Sequence, residues 1–405
     1  MVKKLWIESD SKFVSILLIL FSILLAFGRW NPFVEYSENN DGFDLSQIYS
    51  VFFIGYLFFH IGLKKTKLVY TQWKPFIVLL YLLLIFSTIL WSIDDINMSF
   101  VLFFGKLFLA MSLCFLLPEV FIRNEKSLYY SIASFSISCA LIALLFILGY
   151  LENYTSFRGG RLNIFGENPN STSGRIVIAS VLLLYLIIEN PLHWKKIRYL
   201  LILLFFPMLG MVIASGSRGS FILLFFCVIG YLFFRPTNSI LKKYLLLIFF
   251  IIGGVSFIVY TLQENPDYSL FDRLESSVKN GSTGERDILN RYAWNIFSDY
   301  PVIGVGSLGF SDEMMCRYHE SRTVHNMYMY ILAASGILGA CSFFLFLLSI
   351  ASNVLRIVKK NSLPLIILGF ILFLAYKTGG ILTYLLMWYL FSVIISFINI
   401  EVCGK

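Results

Sequence analysis

From Tyr199 to Arg235 the chain reads YLLILLFFPMLGMVIASGSRGSFILLFFCVIGYLFFR. Two apolar runs, 199–215 and 219–235, meet at Ser215-Gly216-Ser217-Arg218-Gly219. A bilayer core takes about 20 mostly apolar residues per helix. The stretch therefore reads as two membrane helices joined by a tight hairpin, with a pair of re-entrant pieces as the alternative. Runs of the same kind lie at 13–29, 47–63, 75–92, 100–117, 128–151, 174–189, 244–262, 326–350, 365–382 and 384–400, giving twelve candidate spans. The hairpin around Gly379-Gly380 is as tight as the first. Of 405 residues, 58% are hydrophobic and 14% charged, against about 25% charged in a soluble domain. One core cannot hide such an excess. A soluble enzyme, a secreted disulfide scaffold and a disordered chain are excluded, and the expected fold is an all-α polytopic membrane protein. No small-residue cleavage site ends the first run at Gly28-Arg29-Trp30, so it reads as a retained helix.

Basic residues set orientation. With a cytoplasmic N-terminus, alternation places Lys64, Lys65, Lys67, Lys74, Arg123, Lys126, Lys195, Lys196, Arg198, Arg235, Lys242, Lys243, Arg356, Lys359 and Lys360 on the inner side. Every loop then obeys the positive-inside rule, and both termini are cytoplasmic. The +8 net charge follows from this sorting and does not point to nucleic acid. The other side is rich in arginine (Arg29, Arg158, Arg161, Arg175, Arg218, Arg273, Arg286, Arg291, Arg317, Arg322) and holds one lysine, Lys279. Guanidinium is a planar fork matched to phosphate, so a phosphate-bearing ligand is expected there, with headgroup contact as the plainer alternative.

Three units follow: helices one to nine over 1–262 with an outer loop at 152–173, a large periplasmic loop at 263–325 with short amphipathic helices, and helices ten to twelve over 326–405. The first loop carries Arg158-Gly159-Gly160-Arg161, where glycine permits close backbone approach to a ligand, and Asn168-Pro169-Asn170, a turn and helix cap. In the second, Ser282-Thr283-Gly284-Glu285 has capping-box spacing. The helix it starts places Ile288, Leu289, Tyr292 and Ile296 on one face, with Arg286 at the rim. Pro301-Val302-Ile303-Gly304-Val305-Gly306 stops that helix. Of His60, His193, His319 and His325, only His325 stands where the large loop meets the tenth span, placed either to accept a hydroxyl proton or to serve as an interfacial residue. Lys106 and Lys377 are intramembrane charges: Lys377 close to the outer end and able to join the arginine cavity, Lys106 able to snorkel inward. The six cysteines and the acids show no metal-ligand spacing.

Taken in order, Ser217-Arg218-Gly219-Ser220, Gly284-Glu285-Arg286 with Trp294, Pro301-Val302-Ile303-Gly304-Val305-Gly306, His325-Asn326 and Ser335-Gly336-Ile337-Leu338-Gly339 resemble the bacterial O-antigen ligase and O-antigen polymerase superfamily. The resemblance runs from about Arg158 to Gly339. It implies a GT-C-like bundle and a metal-independent membrane glycosyltransferase without cofactor. Its partners would be an undecaprenyl-diphosphate-linked oligosaccharide, an acceptor glycolipid, the lipid bilayer and other polysaccharide-assembly proteins. By resemblance Arg218 and Arg286 grip the diphosphate and His325 activates the acceptor hydroxyl. Arg158, Arg161, Arg291, Asn170 and Asn326 are further substrate contacts. Glu285 between Gly284 and Arg286 departs from the pattern and leaves Arg286 and Arg291 able to exchange roles. The expected activity is O-antigen polymerase at the periplasmic face of the inner membrane, with ligase as the alternative. A flippase is less favoured, because no half-to-half repeat is evident.

Overall fold

The computed structural model describes residues 2–30, 43–62, 70–91, 98–235, 285–322, 324–378 and 381–403, with separate positions between 248 and 275. Its helices are α1 (Val2–Ala26), α2 (Leu45–Gly62), α3 (Lys74–Trp91), α4 (Met98–Arg123), α5 (Glu125–Ile147), α6 (Pro169–Glu189), α7 (Ile197–Leu200), α8 (Phe205–Ala214), α9 (Arg218–Phe234), α10 (Glu285–Asp299), α11 (Gly306–Tyr318), α12 (Met327–Ile357), α13 (Leu363–Lys377) and α14 (Leu385–Cys403). Among the described residues, six helices are long and apolar enough to cross a membrane, and five shorter apolar helices accompany them. The chain is an all-α polytopic membrane protein. Eleven expected spans coincide with helical segments; most of the ninth, 244–262, lies outside the described residues, as does the Ser282-Thr283-Gly284 part of the capping box. The 199–215 run is not one regular helix: α7, a 3-10 turn at Leu201–Leu204 and α8 follow one another.

Local chemistry explains the helix ends. Asp44 accepts from the Gln47 N–H (2.8 Å) while the Gln47 side chain accepts from the Asp44 N–H (3.1 Å), a reciprocal box that starts α2. Packing pairs α4 with α14, α3 with α12, α1 with α5, α5 with α6 and α6 with α9. With apolar surface on every side, interior hydroxyls supply specificity: Ser22 and Ser131 are 2.7 Å apart, and Ser131 lies 3.0 Å from the Tyr389 hydroxyl. Lys106 does not snorkel inward. Its ammonium lies 5.7 Å from the Phe43 ring and within electrostatic reach of Asp44, toward the start of α2.

The 152–173 segment is more ordered than a loop. Thr155–Arg158 (β1) pairs antiparallel with Arg161–Ile164 (β2), and Arg158 stands opposite Arg161. Gly159 and Gly160 have φ of 54° and 66°, as a two-residue hairpin turn requires. The glycines thus serve the turn. The hairpin is seated by Phe165, whose ring lies 5.9 Å from Phe27, 6.2 Å from Trp30 and 5.9 Å from Tyr154. We call this the hairpin end of the bundle.

Near that end α12 is broken at Gly336 (φ 61°, ψ −165°), a backbone conformation open essentially to glycine alone. The break removes the two helical bonds that the N–H groups of Ile337 and Leu338 would make to the carbonyls of Ala333 and Ala334. All four groups are satisfied from outside the helix. Ile337 donates to the Pro301 carbonyl (2.8 Å) and Leu338 to that of Val302 (3.3 Å); the Ala333 carbonyl accepts from Val305 N–H (3.0 Å) and that of Ala334 from the Ser87 hydroxyl (3.0 Å). The Pro301–Gly306 turn therefore does more than stop α10: it plugs the gap in α12. Gly304 (φ 73°) is obligatory, since a Cβ there would lie 2.6 Å from the Ala333 carbonyl oxygen. The Ser307 N–H closes the contact on the Thr88 hydroxyl (2.9 Å).

Gly336→Ala or Gly304→Ala is expected to abolish recovery of monodisperse protein in detergent. Thr88→Val, which strands the buried Ser307 N–H, should cost about 1–3 kcal/mol, read as a lowered thermal midpoint. A wild-type profile for either glycine variant contradicts the plug.

Candidate functional site

Two helices begin side by side at the hairpin end. At the start of α6 the Asn168 side chain accepts from Asn170 N–H (2.9 Å) with Pro169 in the first turn, the expected cap. The start of α9 follows a turn in which Gly216 has φ 61° and Ser217 N–H donates to the Ser215 hydroxyl (3.2 Å). Two bridges join these helix starts. Arg161 donates to the Asn170 side-chain oxygen (2.9 Å) and to the Ser215 carbonyl (3.3 Å). The Ser220 hydroxyl lies 2.8 Å from that of Ser173 and 3.1 Å from that of Ser217. Each helix N-terminus carries partial positive charge, so this arrangement favours an anion.

Three cations gather at the same place. Arg218, half-buried, is the first residue of α9. Lys377 is the last residue of α13, and its Cε would lie 3.9 Å from a Cβ on Gly219. Arg286 is in the first turn of α10. The residue keeps open surface, but the atoms crowding its head group desolvate it. That burial first, and the charge of Arg218 second, hold the guanidinium below its ordinary pKa, with Tyr376 opposing. Lys377 in turn lies in the field of both Arg286 and Arg218. An anion placed among the three would relieve both costs at once, because its charge offsets their repulsion and its oxygens replace lost water.

The other expected residues distribute unevenly. Arg161 and Asn170 are built into the turn that carries Arg218, and Arg158 is at the end of β1 opposite Arg161. Arg291 is exposed, five residues beyond Arg286 and about 140° around the helix from it, so the two do not share a face. Asn326 is buried and caps α12, its side-chain oxygen accepting from the N–H groups of Tyr328 (3.0 Å) and Met329 (3.4 Å). His325 is half-buried just before that cap, at the start of α12, against which α10 packs. On α10 itself the buried stripe is Leu289, Ala293 and Ile296, while Ile288 is turned outward.

The arginine excess is not one cavity. Arg175 is buried against Glu167, Arg317 pairs with Asp299 and Glu313, and Arg322 with Glu320. Sequence reasoning did not foresee the Ser173–Ser220–Ser217 bridge or the buried Glu167; serines at helix starts carry too weak a signal.

The fold and site thus define a polytopic membrane protein with a cationic recess framed by helix N-termini at one end of its bundle. Residues 203–344 match the family described as O-antigen ligase, in line with the resemblance to the O-antigen ligase and polymerase superfamily. The matched stretch contains Arg218, Arg286, His325 and the plugged break; Arg161, Asn170 and Lys377 lie outside it. No curated protein matches the chain.

Inorganic pyrophosphate is expected to raise the thermal midpoint of the purified protein. Arg218→Ala, Arg286→Ala and Lys377→Ala should each weaken its apparent affinity about tenfold, the scale of one hydrogen bond to a charged group. Equal affinity in all three variants would remove the recess as an anion site.

Proposed function

We propose that the protein transfers a glycan from an undecaprenyl diphosphate carrier to an acceptor hydroxyl at the hairpin end, which faces the periplasm of the inner membrane. The observation that carries this reading is the convergence of Arg218, Arg286 and Lys377 beside two helix N-termini. The match of residues 203–344 to the family described as O-antigen ligase supports an O-antigen ligase or polymerase type of enzyme, and the lysine-rich loops at the opposite end support the orientation.

The recess suits the departure of a lipid diphosphate. The acceptor oxygen bonds to the anomeric carbon as the bond from that carbon to the phosphate oxygen breaks, and the electron pair leaves with the diphosphate. Charge that grows on the leaving oxygens meets donors already in place, which is the largest source of catalysis available without reorganisation. The hydroxyl proton goes to the His325 imidazole. Attack opposite the leaving group inverts the anomeric centre. We assign the neutralising role to these fixed side-chain cations and none to a metal, so a chelator should leave the rate unchanged. In this scheme residues 1–262 and 326–405 form the membrane scaffold, and 263–325 brings Arg286 and His325 over it.

Purified protein given lipid-linked oligosaccharide and acceptor should turn over. Arg218→Ala and Arg286→Ala should each lose at least about 100-fold in kcat, as removal of one oxyanion donor does, and His325→Ala should lose about 100-fold or more. Full activity in all three variants contradicts the assignment. Polymerase and ligase share this chemistry and differ in acceptor. In a deletion strain, surface lipopolysaccharide capped at one repeat assigns polymerase; lipid-linked polymer left unattached assigns ligase.

A further inference from the structure

Beneath the recess lies a charged knot outside the matched stretch of the chain. Glu167 follows β2 and Arg175 is on the second turn of α6; both are almost fully buried, at 1% and 2% exposure. Arg175 donates to one Glu167 oxygen, which also accepts from the Thr172 hydroxyl (3.0 Å). From the far side, Gly28 at the end of α1 presses against the Arg175 guanidinium, leaving no room for a Cβ. Among the described residues, the other Glu167 oxygen, the second Arg175 amino nitrogen and the Tyr384 hydroxyl are buried with no hydrogen-bond partner.

As a stabilising device this knot is poor. A buried ion pair seldom outperforms well-packed apolar residues of equal volume, and three unpartnered polar atoms add to its cost. What it does supply is a fixed direction. Glu167 is immediately followed by Asn168-Pro169-Asn170, and its backbone is bridged to Ile164 of β2. The ion pair and the Thr172 bond therefore tie the end of the hairpin to the first two turns of α6. Those turns carry Asn170 and Ser173, the two residues that reach across to the turn of Arg218 through Arg161 and Ser220. The path from Glu167 to the recess is continuous and made of directional bonds.

We propose that Glu167 and Arg175 are positioning residues for the diphosphate recess: they set the start of α6 against the start of α9, and with it the placement of Arg218. The proposal rests on the donor-site reading above and adds to it a determinant that touches no substrate.

The test uses inorganic pyrophosphate as probe, its apparent affinity read from thermal shift of the folded full-length protein. Glu167→Gln and Thr172→Val should each weaken affinity about tenfold or more, since misplacement of about 1 Å in a preorganised site costs up to about 100-fold. The decisive variant is the double replacement Glu167→Leu with Arg175→Met. It removes both buried charges, so it should match or exceed wild-type thermal stability while still binding pyrophosphate weakly. A purely structural pair gives the opposite pattern: affinity of the folded fraction stays at wild type in every variant, and only stability moves. That pattern overturns the proposal. Should Glu167→Gln fail to fold, wild-type affinity in Thr172→Val and in the double variant overturns it equally. Wild-type protein that ignores pyrophosphate sinks the donor-site reading and this proposal together, whereas wild type that binds alongside variants binding equally well sinks the positioning role alone.

Discussion

A helix inside a bilayer may not leave backbone groups unpaired, and that constraint organises this molecule. The break at Gly336 frees two carbonyls and two N–H groups, each costing several kcal/mol in hydrocarbon if left alone. Three of the four are met by backbone of the Pro301–Gly306 turn and the fourth by Ser87. The turn and the break are therefore one structural unit: neither can persist buried without the other. Through it α10 and α11 are fixed to α12 and to α3. Arg286 at the start of α10 and His325 just before α12 inherit their places from this contact, although neither takes part in it.

The recess itself is composite. Arg218 comes with α9, held to α6 by the Arg161 and serine bridges; Arg286 arrives on α10, held by the plug; Lys377 ends α13, whose last turns lie beside Gly219. Like charges brought together by separate elements repel, and the lowered pKa of Arg286 reflects desolvation first and the charge of Arg218 second. Such an arrangement is maintained only because each element is anchored by contacts elsewhere in the bundle. An anionic ligand placed there would offset that repulsion, which is what the proposed diphosphate site calls on.

Much of this was legible in the sequence. Hydropathy marks the helical segments because a lipid-facing helix has no polar face to obscure its pattern. Arg218 could be singled out because a charge in a short hairpin between two apolar runs has few places to go. The hairpin of β1 and β2 has the sequence of a loop, since four-residue strands give too few alternations to recognise, and its Gly-Gly pair resembles a ligand contact as much as a turn. The motifs 301–306 and 335–339 were visible separately. That they interlock was not, because backbone-to-backbone pairing leaves no side-chain signature beyond the glycines themselves. Arg175 counted among the outer arginines, yet its partner Glu167 stands eight residues earlier across a helix start, where spacing rules for helical pairs do not apply.

The placement of the arginines carries the functional argument further than their number does. Arg175, Arg317 and Arg322 each meet a carboxylate, so their charge is already offset and exerts little net field on a ligand. Arg286 lies in the field of Arg218, and Lys377 lies in the fields of both. A fluid headgroup layer calls only for cations spread along the membrane boundary. Cations drawn from three elements to one point, with two helix N-termini directed beside them, answer to a ligand whose charge is itself concentrated. The proposed lipid diphosphate carrier has that form, and such a carrier would reach the hairpin end of the bundle without leaving the bilayer.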